Sequence, residues 1–173
     1  MKKQNLINNW IKEKIDKNII KYELIYKLTE NGSKTEDFHK CCDNKGSTLT
    51  IIETKNNDIF GGFTPLNWKK NSDSRKVGNF DCNKKTFLFS MNLLKKYNMF
   101  NVDKPAILCY DYYGPSFGNS DILYYGQTLL KGKVQALDDS NFFEYKNLEL
   151  TQGKGESESF ITKEIEVFKV IYD

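Results

Sequence analysis

The sequence contains few of the residues that build metal centres and catalytic triads. Its 173 residues include one histidine, three prolines and four cysteines. A structural zinc ion takes about four nitrogen or sulfur ligands, so His39 would need cysteines from distant segments to complete a site. A Ser-His-Asp or Cys-His nucleophile would also depend on His39 as its only histidine base. We therefore predict no metal site and no cofactor.

The chain also lacks a concentrated charge of one sign and a long apolar run. Its 26 basic and 23 acidic residues leave a formal net charge of +3, and the lysines are scattered. Nucleic-acid binding usually requires a basic stripe, so we do not expect it. The amphipathic N-terminal segment predicts neither a secretory signal nor a membrane span. We expect a cytoplasmic protein whose cysteines are free thiols.

Apolar and aromatic residues, in contrast, are plentiful. Hydrophobic residues make up 39% and aromatic residues 14% of the chain, which is enough for one core and predicts a single domain over residues 1–173. Within residues 1–20, apolar side chains recur at spacings of three and four, which predicts an amphipathic helix that packs on a sheet. These side chains are Leu6, Ile7, Trp10, Ile11 and Ile15.

The most regular stretch, residues 38–68, has the pattern of a helix leading into a β-hairpin. The helix is predicted over Lys34–Cys42. Runs rich in β-branched and aromatic residues then predict strands at Thr48–Ile52 and Ile59–Phe63, joined by a polar turn at Asn56-Asn57-Asp58.

Short strands also recur along the rest of the chain. Residues 129–155 carry weak signals and are predicted to be mostly irregular, with a short strand as an option at Asn141–Leu150. The spacing of the strands predicts an α+β, mainly β fold, a two-sheet antiparallel β-sandwich with a few flanking short helices. The predicted strands outside the hairpin are Tyr22–Leu28, Phe87–Leu93, Ile107–Tyr110, Ile122–Tyr125 and Ile165–Val170.

Several motifs, in order along nearly the whole chain from about Leu6 to Tyr172, resemble those of the TLDc domain family. Together they are far more specific than any one of them alone. They are Leu24-Ile25-Tyr26, Gly32-Ser33, Phe38-His39-Lys40, Cys42-Asp43, Lys45-Gly46, Thr48–Ile52, Ile59–Thr64, Trp68, Phe87–Ser90, Gly114–Gly118, Asp121-Ile122 and Lys163–Phe168.

The resemblance implies a β-sandwich, an association with protection against oxidative stress, and regulation of the vacuolar proton-pumping ATPase. No reaction is firmly established for this family. The chain departs from the family pattern at Gly118-Asn119-Ser120-Asp121, where relatives often have a longer glycine run followed by histidine, and at Gly46-Ser47, where they often have Gly-Pro. A role for that histidine therefore does not carry over.

Three residues are candidates for catalysis. Cys42 is a candidate redox-sensing thiol whose pKa Lys40 and Lys45 would lower, although burial would make it inert. Glu164 and Glu166, two apart on one predicted strand, point to the same face and form a candidate acid–base pair, or a solvated face that discourages sheet-to-sheet association.

The candidate binding surface is the Gly114–Asp121 loop together with Glu164 and Glu166, because loops that combine glycine with aromatic residues often form ligand or partner surfaces. We interpret the chain as a non-enzymatic interaction module whose partner is a protein complex, with vacuolar proton-pump subunits as the first candidate. The alternatives are a redox-active or hydrolytic stress-response enzyme, and a structural component of a larger assembly. The predicted binding residues are Gly114, Pro115, Ser116, Phe117, Gly118 and Asp121.

Overall fold

Short helices and many strands make up the folded chain. The computed structural model describes residues 2–73, 78–135, 149–151 and 157–173. The helices are α1 (Lys2–Ile15), α2 (Leu28–Asn31) and α3 (Thr35–Cys42). The strands are β1 (Ile19–Lys27), β2 (Thr48–Thr54), β3 (Ile59–Thr64), β4 (Gly78–Asn79), β5 (Phe87–Ser90), β6 (Lys95–Asn98), β7 (Ile107–Leu108), β8 (Ser116–Phe117), β9 (Ile122–Leu123), β10 (Lys131–Gln135) and β11 (Ser157–Tyr172).

The longest strand, β11, belongs to two sheets. Its first residues, 157–161, pair with β10, and its later residues pair with β2 on one side and β1 on the other. The first sheet has the order β1-β11-β2-β3-β5-β6, and the second has the order β4-β7-β8-β9-β10-β11. Every pairing between these strands is antiparallel. A strand long enough to serve both sheets therefore holds the two halves of the fold together.

The core between the two sheets is built from aromatic rings. Trp68 meets Phe117 of β8 edge to face with ring centroids 5.4 Å apart, and Phe60 of β3 meets Phe160 of β11 at 5.2 Å. The two sheets approach so closely that a Cβ added at Gly62 would lie 2.6 Å from Phe117 Cε1. The predicted antiparallel sandwich is confirmed.

Helix α1 covers part of the outer face of the first sheet. Ile7 and Ile11 are buried, and Trp10 packs against Phe87 and Phe89 with ring centroids 6.4 and 6.5 Å apart. All four residues of β5 are buried as a result, since α1 covers one face of this strand and the core covers the other. No helix in the ranges that the structure describes has the length and apolar character needed to cross a membrane.

Several strands differ from the sequence prediction. The strand predicted to end at Leu93 ends at Ser90. Residues 91–94 form a turn, in which Leu94 adopts φ +54°, and the chain then returns as β6. Strand β10 lies where irregular structure was predicted, and β11 begins eight residues before Ile165. Residues 141–148 of the optional strand lie outside the described residues.

Candidate functional site

The segment predicted to bind a partner is largely buried. All six predicted binding residues are buried: Gly114, Pro115, Ser116, Phe117, Gly118 and Asp121. At the tip, Asn119 is exposed and Ser120 is half-buried. The sequence predicted a surface loop here because glycine and proline indicate a loop. In the structure, part of the segment forms β8, which pairs with β7 and β9 in the second sheet. Within this segment, the accessible residues are therefore those at the tip.

Ser116 lies in a Gly-x-Ser-x-Gly sequence, the spacing of a nucleophile elbow in α/β-hydrolases. In such an elbow the serine stands exposed on a turn between a strand and a helix. Here Ser116 is buried in β8, where its Oγ accepts a hydrogen bond from Tyr124 N at 2.8 Å and lies 3.2 Å from Tyr124 O. This serine closes a backbone contact and is not presented to substrate.

Four tyrosines next to this segment form a cluster at the surface, which we term the tyrosine patch (Tyr110, Tyr112, Tyr113 and Tyr125). Ring centroids lie 5.6 Å apart for Tyr110 and Tyr112, 6.1 Å for Tyr110 and Tyr113, and 5.5 Å for Tyr113 and Tyr125. Tyr112 is 46% exposed and Tyr125 is 68% exposed. The doublets Tyr112-Tyr113 and Tyr124-Tyr125 were the signal for this patch in the sequence.

The backbone beneath the tyrosine patch is tied down by hydrogen bonds between its two segments. Tyr113 N donates to Tyr110 O at 2.8 Å and closes a turn, while Gly126 N donates to Tyr112 O at 2.7 Å. Tyr113 and Tyr125 also form an isolated antiparallel bridge. The exposed rings therefore stand on a fixed backbone rather than on a free loop.

His39 of α3 supports the patch from below. It is buried, and its Nε2 lies 3.0 Å from Tyr113 O and 3.3 Å from Tyr110 O. Because carbonyls only accept hydrogen bonds, Nε2 is the donor here. Its Nδ1 lies 2.8 Å from Asp43 Oδ1, while Asp43 Oδ2 accepts the Lys70 N–H. Both ring nitrogens are thus engaged, and His39 acts as a positioning residue.

A polar recess of about 570 Å³ adjoins the tyrosine patch at Tyr112. It lies between the start of α3 and the segment after Tyr125, and side chains of both signs line it. These lining residues include Lys34, Glu36, Lys70, Asp111 and Tyr112. The recess gives the aromatic patch a polar border, as protein interfaces commonly have.

The thiol of Cys42 does not have the environment of a reactive cysteine. The side chain is fully buried in the core. Burial raises the pKa of Cys42 above its usual range, with further increases from Cys41 and Asp43 and only a partial opposing effect from Lys45. The lowering by lysine that the redox hypothesis required is therefore outweighed, because removing the thiolate from water costs more than Lys45 recovers.

Glu164 and Glu166 lie together in a groove on the outer face of the first sheet. The groove has a volume of about 230 Å³ and is also lined by Ile51, Glu53 and Ile59. Glu164 accepts hydrogen bonds from Thr29 N at 3.2 Å and from Thr29 Oγ1 at 2.5 Å. The pair does converge in a concavity, as the acid–base hypothesis required. Glu53 adds a third carboxylate to the groove, so its polar side chains are all acidic.

A family model described as the TLDc domain matches residues 2–171. The search of curated proteins found no match to the chain. Within the described residues, no group of three or more His, Cys, Asp or Glu side chains is arranged to hold a metal ion.

Proposed function

The chain belongs to the TLDc domain family, and from this premise we propose that it is a non-enzymatic interaction module that binds a protein complex. The first candidate partner is the vacuolar proton-pumping ATPase, and the proposed role is in oxidative-stress protection. Both follow from what is associated with the family. The proposed place of action is the cytoplasm.

The observation that supports binding is the tyrosine patch. Tyrosine is enriched among the residues that dominate protein–protein binding energy, because its ring gives a large contact area at a low cost in side-chain entropy. Tyr112 and Tyr125 expose such rings while His39 and the hydrogen-bonded turns fix the backbone beneath them. A surface organised before binding loses less entropy when a partner docks.

Affinity purification of the tagged protein from its own cells, followed by mass spectrometry, tests this proposal. The Tyr112→Ala/Tyr125→Ala variant removes the two exposed rings. Leu93→Ala, which truncates an exposed apolar side chain in the turn between β5 and β6, is the matched control. We expect proton-pump subunits with the wild type and the control, and at least about a tenfold loss of them with the tyrosine variant. Recovery of no complex, or equal recovery with all three proteins, would refute the proposal.

A further inference from the structure

An apolar cavity of about 330 Å³ lies between the start of α1 and the outer face of the first sheet. Its walls are almost entirely apolar. Leu49, Ile51, Ile59 and Phe168 contribute from the sheet, Met91 contributes from the turn after β5, and Ile7 contributes from the helix.

The cavity exists because the apolar stripe of α1 starts too late to cover the whole sheet face. Trp10 and Ile11 fill the space beneath the later turns, against Phe87 and Phe89. In the first turn the corresponding positions are Lys3 and Gln4, which are exposed and are among the residues that line the cavity. Apolar sheet surface is thus left accessible where the helix turns polar.

The apolar cavity and the groove of Glu53, Glu164 and Glu166 lie next to each other, because Ile51 and Ile59 line both spaces. We term the two together the trough. The trough has an apolar end and an acidic end on the same sheet face.

The charge at the acidic end is only partly neutralised. Lys163 Nζ lies 2.7 Å from Glu53 Oε1, and the nearby Lys27 pairs with Glu30 at 2.7 Å. Glu164 and Glu166 raise the pKa of Lys27, although less than Glu30 does. The backbone of Glu166 belongs to the strand ladder of β11, whereas its side-chain carboxylate has no hydrogen bond or ion pair within the described residues. The acidic end therefore carries more negative than positive charge.

From the apolar cavity and its acidic extension we infer that this trough binds a peptide segment of a partner protein in which an apolar side chain lies near a Lys or Arg. The apolar side chain fills the cavity, and the cation meets Glu166 with Glu164 and Glu53. The inference rests on the proposed function only in taking the occupant to be a protein segment. An anionic membrane is disfavoured as the occupant, since three carboxylates at the trough would repel it.

Nuclear magnetic resonance titration of the isotope-labelled full chain tests the inference without any cellular partner. The probes are nine-residue Gly/Ser peptides that carry two leucines and two arginines, with the leucine-to-arginine spacing varied from one to four residues in both orders. We expect at least one peptide to shift the amide signals of Ile51, Ile59 and Glu166. Replacing its arginines with glutamates, or its leucines with serines, weakens the binding by about tenfold or more.

Variants of the chain locate the site. Glu166→Gln and Glu166→Lys should weaken peptide binding progressively, while Glu23→Lys, which reverses an exposed carboxylate of β1 outside the trough, should leave it unchanged. The dispersed spectrum of each variant verifies that it is folded. The Tyr112→Ala/Tyr125→Ala variant should bind the peptide as the wild type does, so failure of the trough and failure of the tyrosine patch are read separately.

Four results would overturn the inference. In the first two, no peptide of the panel shifts the amide signals of the trough, or both Glu166 variants bind the peptide as the wild type does. In the other two, phosphatidylserine vesicles bind at the trough, or the chain forms a dimer that Glu166→Lys dissociates.

Discussion

The contact between His39 and the tyrosine patch predicts a measurable loss of stability when the imidazole is removed. His39→Leu keeps an apolar side chain of similar size but removes the contacts to Tyr113 O at 3.0 Å and Asp43 Oδ1 at 2.8 Å. Each such hydrogen bond contributes about 0.5–1.5 kcal/mol, and more where a carboxylate is involved. The Tyr113 carbonyl is also left without this donor, which adds a desolvation cost of about 1 kcal/mol or more. We expect a total destabilisation of about 2–4 kcal/mol.

Urea unfolding followed by circular dichroism measures this loss, and thermal unfolding should show a decrease in Tm of about 5–15 °C for a chain of this size. Asp43→Ala and the double variant complete a double-mutant cycle. The stability losses of the two single variants should add up to more than the loss of the double variant, by about 1 kcal/mol or more. The reason is that each single variant leaves the other residue without its partner. A His39→Leu protein as stable as the wild type, or strict additivity in the cycle, would refute the supporting role of His39.

Three further predictions concern the core. Gly62→Ala places a Cβ 2.6 Å from Phe117 Cε1, so overpacking should destabilise the fold by about 1–3 kcal/mol in urea unfolding. Adding Phe117→Leu to this variant should relieve part of the loss, and a Gly62→Ala protein as stable as the wild type would contradict the close sheet contact. In the folded protein a thiol reagent should label the exposed Cys82 rapidly and Cys42 only at the rate of unfolding, as followed by mass spectrometry; rapid Cys42 labelling would restore the redox hypothesis. Burial raises the pKa of Cys109 from 9.0 to about 11, which favours the protonated thiol in the folded state. The stability that this shift contributes, about 2–3 kcal/mol, is therefore complete below pH 9 and is lost as the pH rises to 11. Cys109→Ala should lose correspondingly less stability at alkaline pH than the wild type, and identical stability–pH profiles of the two proteins would exclude Cys109 as the cause.

Elements with a strong periodic pattern were predictable from the sequence. The hairpin of β2 and β3 could be predicted, because β-branched and aromatic residues flank a polar turn, in which Asn57 adopts φ +65°. Strand β10 could not be predicted, since its sequence, Lys-Gly-Lys-Val-Gln, has little β propensity. Its extended structure depends on pairing with β9 and β11. Gly132 is required there because an added Cβ would lie 2.3 Å from Phe160 Cζ, a contact that no local pattern encodes.

The candidate site was predictable in part, and the difference comes from burial. The sequence predicted the helix that carries His39 and Cys42, and in the structure His39 Nδ1 lies 2.8 Å from Asp43 Oδ1 while Cys42 is buried in the core. The loop signal at Gly114 did not indicate that residues 114–118 are buried while Tyr112 and Tyr125 are exposed. Which aromatic rings remain exposed depends on how β8 and β9 enter the second sheet, and that is decided by tertiary packing.

Amide hydrogen exchange of the protein, alone and within the complex recovered from its cells, tests the central claim most directly. If the tyrosine patch is the contact surface, residues 110–113 and 124–127 gain protection in the complex, and the turn at residues 91–94 does not. Unchanged exchange at both patch segments, with protection elsewhere in the chain, would contradict the claim that this surface binds the partner.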